Sequence, residues 1–308
     1  YFTGAADAGW TCIGLALGTY FNWLLVAKRL RRYSEKANDS ITLPGFYSNR
    51  FHDDKNVVST VAAVIILIFF CVYTGSCFVT CGKLFNTLFG MDYTVMMIFG
   101  AIIVFLYTMV GGYLSVVATD FVQGCLMFFA LAVVVIGSIT MAGGIENTAA
   151  FLSDIPGYLS MVQTATPEVD AAGVQYLLGG APIFGIPAEY GLLTIISTLS
   201  WGLGYFGMPQ VLVRFMGIRN DSEIKTSRRI AIVWVVVSMF CAIMIGIIGR
   251  YLFPAQYLTQ SGAESIFIFL SQVMLPGFLC GLVVSGILAA SMSSASSYLL
   301  ITGSSVAE

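Results

Sequence analysis

The sequence predicts an all-α membrane protein, on two observations. Of the 308 residues, 58% are hydrophobic and only 10% are charged, whereas a soluble domain carries about 25% charged residues. Long apolar runs, such as 57–79 and 121–141, reach the roughly 20 residues that a helix needs to cross about 30 Å of hydrocarbon. A lipid bilayer is therefore the predicted solvent of most of the chain.

The polar composition excludes several classes of function. The net charge is −2 and the chain contains one histidine, His52, so we expect neither a nucleic-acid interface nor a histidine-based metal centre. The apolar runs carry no cluster of Asp, Glu and His that could supply acid and base groups. The sequence thus predicts a protein that is not an enzyme, with no catalytic residue.

Apolar windows of about 20 residues predict seven transmembrane helices. They are 8–27, 57–83, 94–112, 119–142, 190–210, 229–252 and 276–303. A further apolar stretch, 263–274, is too short to cross and is predicted to be an interfacial helix.

Basic residues predict the direction of these spans, because Lys and Arg are retained on the cytoplasmic side. Twelve of the 14 Lys and Arg lie in the loops that follow the first and fifth spans. The connection 143–189 contains none. We therefore expect the chain to start outside and end inside, in a plasma (inner) membrane.

The fifth span contains helix-weakening residues, with three glycines and a proline within 202–209. Glycine costs about 1 kcal/mol and proline about 3 kcal/mol inside a helix, and non-helical backbone at membrane depth survives only where it lines a cavity. This pattern predicts a discontinuous helix, on which Trp201, Tyr205 and Pro209 share one face if the segment stays roughly helical. Close helix packing through small residues is the alternative.

The last span is unusually rich in hydroxyl groups, with six serines within 285–297. Ala290, Ser293 and Ser294 stand at i, i+3 and i+4, which places one carbonyl and two hydroxyl oxygens on one face. These oxygens suit a hard monovalent cation. The alternative is that the serines only pack and bond to carbonyls within the helix.

Two further residues lie where the third span turns into the fourth, around the paired Gly111 and Gly112. Tyr107 precedes this turn and is interpreted either as a pocket residue or as part of an aromatic belt. Asp120 follows it and is interpreted as the N-cap of the fourth span, or else as a residue in water.

Four segments together resemble the sodium/solute symporter family, and within it the sodium/proline symporters. These are residues 201–207 with Pro209, the inner loop 43–46 followed by 49–51, the turn 107–112, and 287–290 with Ser293. The resemblance implies a five-plus-five inverted-repeat (LeuT-like) core. The seven spans would be core helices two to eight of a single transporter domain, 1–308, that is incomplete at both ends and lacks core helix one.

The resemblance also implies a solute site and an ion site. The residues that match the family's proline pocket are Trp201, Tyr205, Pro209 and Tyr107. Those that match its sodium ligands are Ala290, Ser293 and Ser294. The chain departs from the family pattern at Met208, at Gln210 and at Ser294, which keeps a hydroxyl.

The predicted function is that of a sodium-coupled secondary active symporter that imports a small amino acid, proline. Its partners would be the sodium ion, a small zwitterion and the lipid bilayer, without nucleic acid and without a cofactor other than the coupling ion. The alternatives are a sodium symporter of the same family for another amino acid, a sugar, a carboxylate or a vitamin, and an ion channel.

Overall fold

The computed structural model describes residues 1–307 and is predominantly helical. The first half of the chain forms α1 (Ala6–Asn22), a π-helical turn (Trp23–Ala27), α2 (Lys28–Lys36), α3 (Leu43–Phe51), α4 (Val57–Phe89), α5 (Tyr93–Met141) and α6 (Ile145–Ser153). The second half forms α7 (Leu192–Leu199), a 3-10 helix (Ser200–Phe206), α8 (Pro209–Met216), α9 (Glu223–Leu252), α10 (Gln260–Ala263), α11 (Ile266–Met274) and α12 (Gly277–Ala307).

Within residues 1–307, five helical stretches are long and apolar enough to cross a membrane. They are Ala6–Lys36, Val57–Phe89, Tyr93–Met141, Glu223–Leu252 and Gly277–Ala307. Four of them coincide with the predicted first, second, sixth and seventh spans. The prediction of an all-α membrane protein is therefore confirmed, and the differences lie in the third, fourth and fifth spans.

The predicted third and fourth spans both fall within α5, which consists of two helices joined at a kink at Gly112. A straight helix of 49 residues would be about 74 Å long, more than twice the hydrocarbon thickness. Gly112 interrupts it with a φ of 57° and a ψ of −156°, a conformation that side chains with a Cβ rarely adopt. The glycine pair thus breaks the helix where the sequence predicted a turn.

The described residues fall into two compact units, each formed from three segments. The first comprises 1–20, 128–204 and 230–284, and the second comprises 21–127, 205–229 and 285–307.

The core of the first unit lies between α5, α9, α11 and α12. Val134 in α5, Leu270 in α11 and Val283 in α12 are fully buried there, beside the nearly buried Ile245 of α9. The predicted interfacial stretch 263–274 is helical, as α11 with the end of α10.

The core of the second unit lies around α8. Phe215 is fully buried and its ring meets Trp23 edge to face at a centroid distance of 4.6 Å. Ile66 and Phe70 of α4 and Ile301 of α12 pack in the same cluster. The π-helical turn at Trp23–Ala27 thus delivers an aromatic residue to the centre of this unit.

Many large apolar side chains of the long helices are exposed, including Val72, Val110, Leu114 and Phe121. A soluble protein rarely leaves contiguous apolar surface of this extent in water. The pattern is that of helices whose outer surfaces meet lipid.

The connection between α6 and α7 contains two short antiparallel pairs, β1 (Gln163–Thr164) with β4 (Ala188–Glu189), and β2 (Leu177–Leu178) with β3 (Ala181–Pro182). Arg250 at the end of α9 anchors it. The buried Arg250 guanidinium lies between the rings of Tyr1 and Phe184, and its Nη2 donates to Oε1 of Gln175 at 2.8 Å.

Candidate functional site

The fifth span is discontinuous, as predicted. It runs as α7 to Leu199, tightens into the 3-10 helix Ser200–Phe206, and resumes as α8 at Pro209. The residue before Pro209, Met208, has extended backbone (φ −73°, ψ 112°), the conformation that a following proline favours. Proline begins the new helix without penalty because its missing N–H falls in the first turn.

The break leaves the carbonyl of Tyr205 without its α-helical donor. In an α-helix that carbonyl would accept from the N–H of residue 209, and Pro209 has none. The side chain of Asn22 replaces it, with Nδ2 donating to the Tyr205 oxygen at 2.7 Å. Asn22 is 1% exposed and is the last residue of α1, directly before the π-helical turn. Sequence reasoning missed Asn22, because nothing in the pattern around it indicates this partner.

Three of the predicted solute residues lie along this break in different surroundings. Trp201 is exposed and belongs to the first unit, whereas the half-buried Tyr205 and the buried Pro209 belong to the second. A 3-10 helix has three residues per turn, so residues four apart point about 120° apart. The single shared face expected for Trp201, Tyr205 and Pro209 required α-helical geometry, and the segment does not have it.

The small residues of the break also serve helix packing. A Cβ on Gly202 would overlap the carbonyl oxygen of Gly14, and a Cβ on Gly18 would overlap the backbone of Gly202. Glycines at these positions therefore let α1 approach the 3-10 helix backbone to backbone. The glycine-rich segment therefore shows both predicted features: the helix is interrupted, and Gly202 allows close packing.

Tyr107, the fourth predicted solute residue, is half-buried in α5 and connects to α12. Its hydroxyl donates to the carbonyl oxygen of Met292 at 3.1 Å. Met292 directly precedes Ser293, so the structure brings Tyr107 to the serine-rich helix.

The three predicted sodium ligands lie on α12, which is continuous through this region. Ala290 is exposed, and Ser293 and Ser294 are half-buried. The Ser293 hydroxyl donates to the Ala290 carbonyl oxygen at 3.1 Å, which brings two of the three oxygens together. Ser296 donates in the same way to the Ser293 carbonyl. Such bonds within a helix are the alternative that the sequence left open, and they also hold oxygen atoms on one face, where a cation would bind their lone pairs while the hydroxyl hydrogen turns away.

A second polar cluster was not predicted. Asp120 accepts from Nη2 of Arg214 and from the hydroxyl of Ser297, the latter at 3.2 Å, and Arg214 also donates to Ser297 at 2.9 Å. The interpretation of Asp120 as an N-cap is wrong, because it lies inside α5, eight residues after the kink at Gly112. A signal was present in the sequence, since an ionisable residue within an apolar span is expected to pair.

Comparison with known proteins places the chain in a family. Residues 1–308 match the sequence model of the Sodium:solute symporter family. The chain is 39% identical over 307 residues to the high-affinity proline transporter PutP of Bacillus subtilis. It is 38% identical over 301 residues to the osmoregulated proline transporter OpuE of the same organism and 39% identical over 308 residues to a sodium/proline symporter of Staphylococcus aureus.

These alignments cover 97% to 100% of this chain and 55% to 60% of the relatives' own lengths. The matched region includes the broken fifth span and the serine-rich α12, so the resemblance seen in short motifs extends over the whole sequence. The chain belongs to the sodium:solute symporter family of membrane transporters.

Proposed function

We propose that the protein is a sodium-coupled symporter that imports a small amino acid, with proline as its solute. The observation that carries the proposal is the match of nearly the whole chain, at 38% to 39% identity, to three relatives named as proline transporters. The chain spans little more than half the length of those relatives, so the transport activity is proposed for the whole protein.

The solute would bind along the discontinuous fifth span. Broken helices in transporters expose backbone groups that receive polar substrates near the membrane midplane. Here the N-terminus of α8 would offer its positive dipole end and the N–H of Gln210 to the solute carboxylate. The aromatic faces of Tyr205 and Trp201 suit the apolar ring of proline, Pro209 shapes the break, and Tyr107 completes the set proposed from the resemblance.

Sodium would bind to α12 through the carbonyl of Ala290 and the hydroxyls of Ser293 and Ser294. Neutral oxygens suit a monovalent cation because they replace its hydration shell without fixing a surplus of negative charge. Three oxygens are fewer than a sodium ion coordinates, and the family resemblance supplies the remainder from core helix one.

Coupling would follow from sodium binding better to the state that also binds solute. One sodium ion entering down about 100 mV contributes roughly 2.3 kcal/mol, and a tenfold gradient adds about 1.4 kcal/mol. Together these support an accumulation of several hundred-fold. The protein does no covalent chemistry in this cycle.

We further infer seven crossings in a LeuT-like arrangement, starting outside and ending inside a plasma (inner) membrane. The kink at Gly112 supports counting α5 as two spans, and the break at Pro209 supports counting α7 and α8 as one interrupted span. The basic residues of the loops after the first and fifth spans support the orientation.

The test is uptake of radiolabelled proline into proteoliposomes that contain the full-length gene product. Uptake should saturate with proline, require inward sodium, and be competed by unlabelled proline more strongly than by sugars, carboxylates or other amino acids. Competition by another solute instead would replace proline as the substrate. A sodium current that does not saturate and needs no solute would point to a channel.

A further inference from the structure

In the side-chain amide of Asn22, Nδ2 makes a hydrogen bond and Oδ1 makes none within the part of the chain that the structure describes. Nδ2 donates to the Tyr205 carbonyl, and because a carbonyl only accepts, this bond assigns the two ends of the amide. Among residues 1–307, no donor reaches the buried Oδ1. Leaving a buried acceptor without a partner costs about 1 to 3 kcal/mol, which a donor on a bound solute would recover.

The backbone around Asn22 is also irregular. The π-helical turn Trp23–Ala27 starts at the next residue, and π-turns inside α-helices are frequent at functional sites. The Asn22 amide bonds to the Tyr205 carbonyl, which lacks an α-helical donor because Pro209 has no N–H. Asn22 therefore connects the irregular end of α1 to the interruption in the fifth span.

Asn22 Oδ1 is an uncharged hydrogen-bond acceptor. An amide oxygen attracts the N–H groups of a cation, and a hydrogen bond to a charged donor contributes about 1.5 to 3 kcal/mol. Of the two charged groups on a zwitterion, the amide oxygen can bind only the ammonium. The carboxylate would need donors, and the N–H of Gln210 at the start of α8 is one candidate.

We propose that Asn22 is a specificity-determining residue of the solute site, where Oδ1 accepts a hydrogen bond from the solute's ammonium while Nδ2 holds the Tyr205 carbonyl. This inference rests on the proposed import of an amino acid. Oδ1 is closed off in this conformation, so the ammonium reaches it only after a local rearrangement that leaves the bond from Nδ2 to Tyr205 in place.

The experiment compares two ligands on purified full-length gene product at saturating sodium, by calorimetry. The ligands are L-proline and tetrahydrofuran-2-carboxylate, which keeps the ring and carboxylate but has an ether oxygen in place of the ammonium. The variants are Asn22→Leu, which removes both functions of the amide, and Asn22→Asp, which keeps an acceptor oxygen. The control is Asn86→Leu, since Asn86 makes the same kind of bond, from Nδ2 to the Met91 carbonyl at 2.8 Å, at an exposed helix end.

We expect Asn22→Leu to weaken proline binding at least tenfold with little change for the analogue, so that the preference for proline falls by the same factor. Asn22→Asp should retain that preference, and Asn86→Leu should match the wild type. If Asn22→Leu cannot be purified, Asn22→Ser, whose shorter side chain does not reach as far, is held to the same criterion.

An equal loss for both ligands would overturn the inference and reduce Asn22 to a helix cap. So would an unchanged preference for proline over the analogue. In each of these cases wild-type proline binding leaves the proposed function standing. Failure of the wild type to bind any amino acid would instead remove the proposed function, and this inference with it.

Discussion

The hydroxyl of Tyr107 in α5 donates a 3.1 Å hydrogen bond to the carbonyl oxygen of Met292 in α12, one residue before Ser293. The family resemblance assigns Tyr107 to proline handling, yet its contact is with the helix of the proposed ion site. Uptake kinetics can distinguish these two roles. Loss of a role in proline handling changes the half-saturating proline concentration, whereas loss of a role at the ion site changes the half-saturating sodium concentration.

Replacing Tyr107 by Phe should raise the sodium concentration for half-maximal uptake about two- to tenfold, the value of one hydrogen bond that holds α12 in place. Uptake kinetics at varied sodium and varied proline measure this. Tyr176→Phe, at an exposed position of the strand-containing connection, is the control. A rise confined to the half-saturating proline concentration would support the solute role proposed above and would leave the bond to Met292 without a role in sodium binding.

Removing both hydroxyls of the proposed ion site, with Ser293→Ala and Ser294→Ala together, should raise the half-saturating sodium concentration far more than it alters expression. The reason is that two of the three candidate oxygens on α12 are lost. Ser304→Ala is the matched control, since Ser304 donates to the Ile301 carbonyl at 3.1 Å in the same way that Ser293 donates to Ala290. An unchanged sodium dependence would make both serines packing residues.

Tyr205→Ala should weaken proline affinity by roughly 1 to 3 kcal/mol, a five- to 150-fold rise in the half-saturating concentration, because a buried aromatic contact is lost. Sodium binding without solute should change much less. Solute affinity and melting temperature are measured on the same purified sample, with the half-buried neighbour Phe206→Ala as control. A destabilised protein with wild-type affinity would remove Tyr205 from the site.

Gly202→Ala should lower the melting temperature by several degrees, because its Cβ would overlap the Gly14 carbonyl, and overpacking of this kind costs about 1 to 3 kcal/mol. Gly204→Ala is the control in the same 3-10 helix, since no heavy atom of the described residues would lie within 4 Å of the added Cβ. Thermal unfolding in detergent compares the two. Equal melting temperatures would argue against the close approach of α1.

Cysteines placed singly at Glu168 and Lys225, both exposed, in a background without other cysteines, should be labelled by an impermeant thiol reagent from outside and from inside respectively. The reason is the retention of Lys and Arg on the cytoplasmic side. Labelling is compared in intact and permeabilised cells. Reaction of both from the same side would contradict the seven-span topology.

The sequence by itself determined the features that arise within a few residues of one another. Apolar length placed the long helices, and Gly112 and Pro209 broke two spans where they stand, because backbone freedom and a missing N–H act on the adjacent turn. The sequence did not determine that the broken span tightens into a 3-10 helix and separates Trp201 from the face of Tyr205. In the tertiary structure α1 packs backbone to backbone against this segment at Gly202, a contact that no local pattern predicts.

Only the tertiary structure decided the partners of the polar side chains. Asn22 meets Tyr205 across 183 positions, Tyr107 meets Met292 across 185, and Asp120 pairs with Arg214 across 94. A polar group in an apolar interior must find a partner, since water is absent there, so the sequence requires that partners exist. Which partner is found depends on the packing of several helices at once, and no local pattern carries that information.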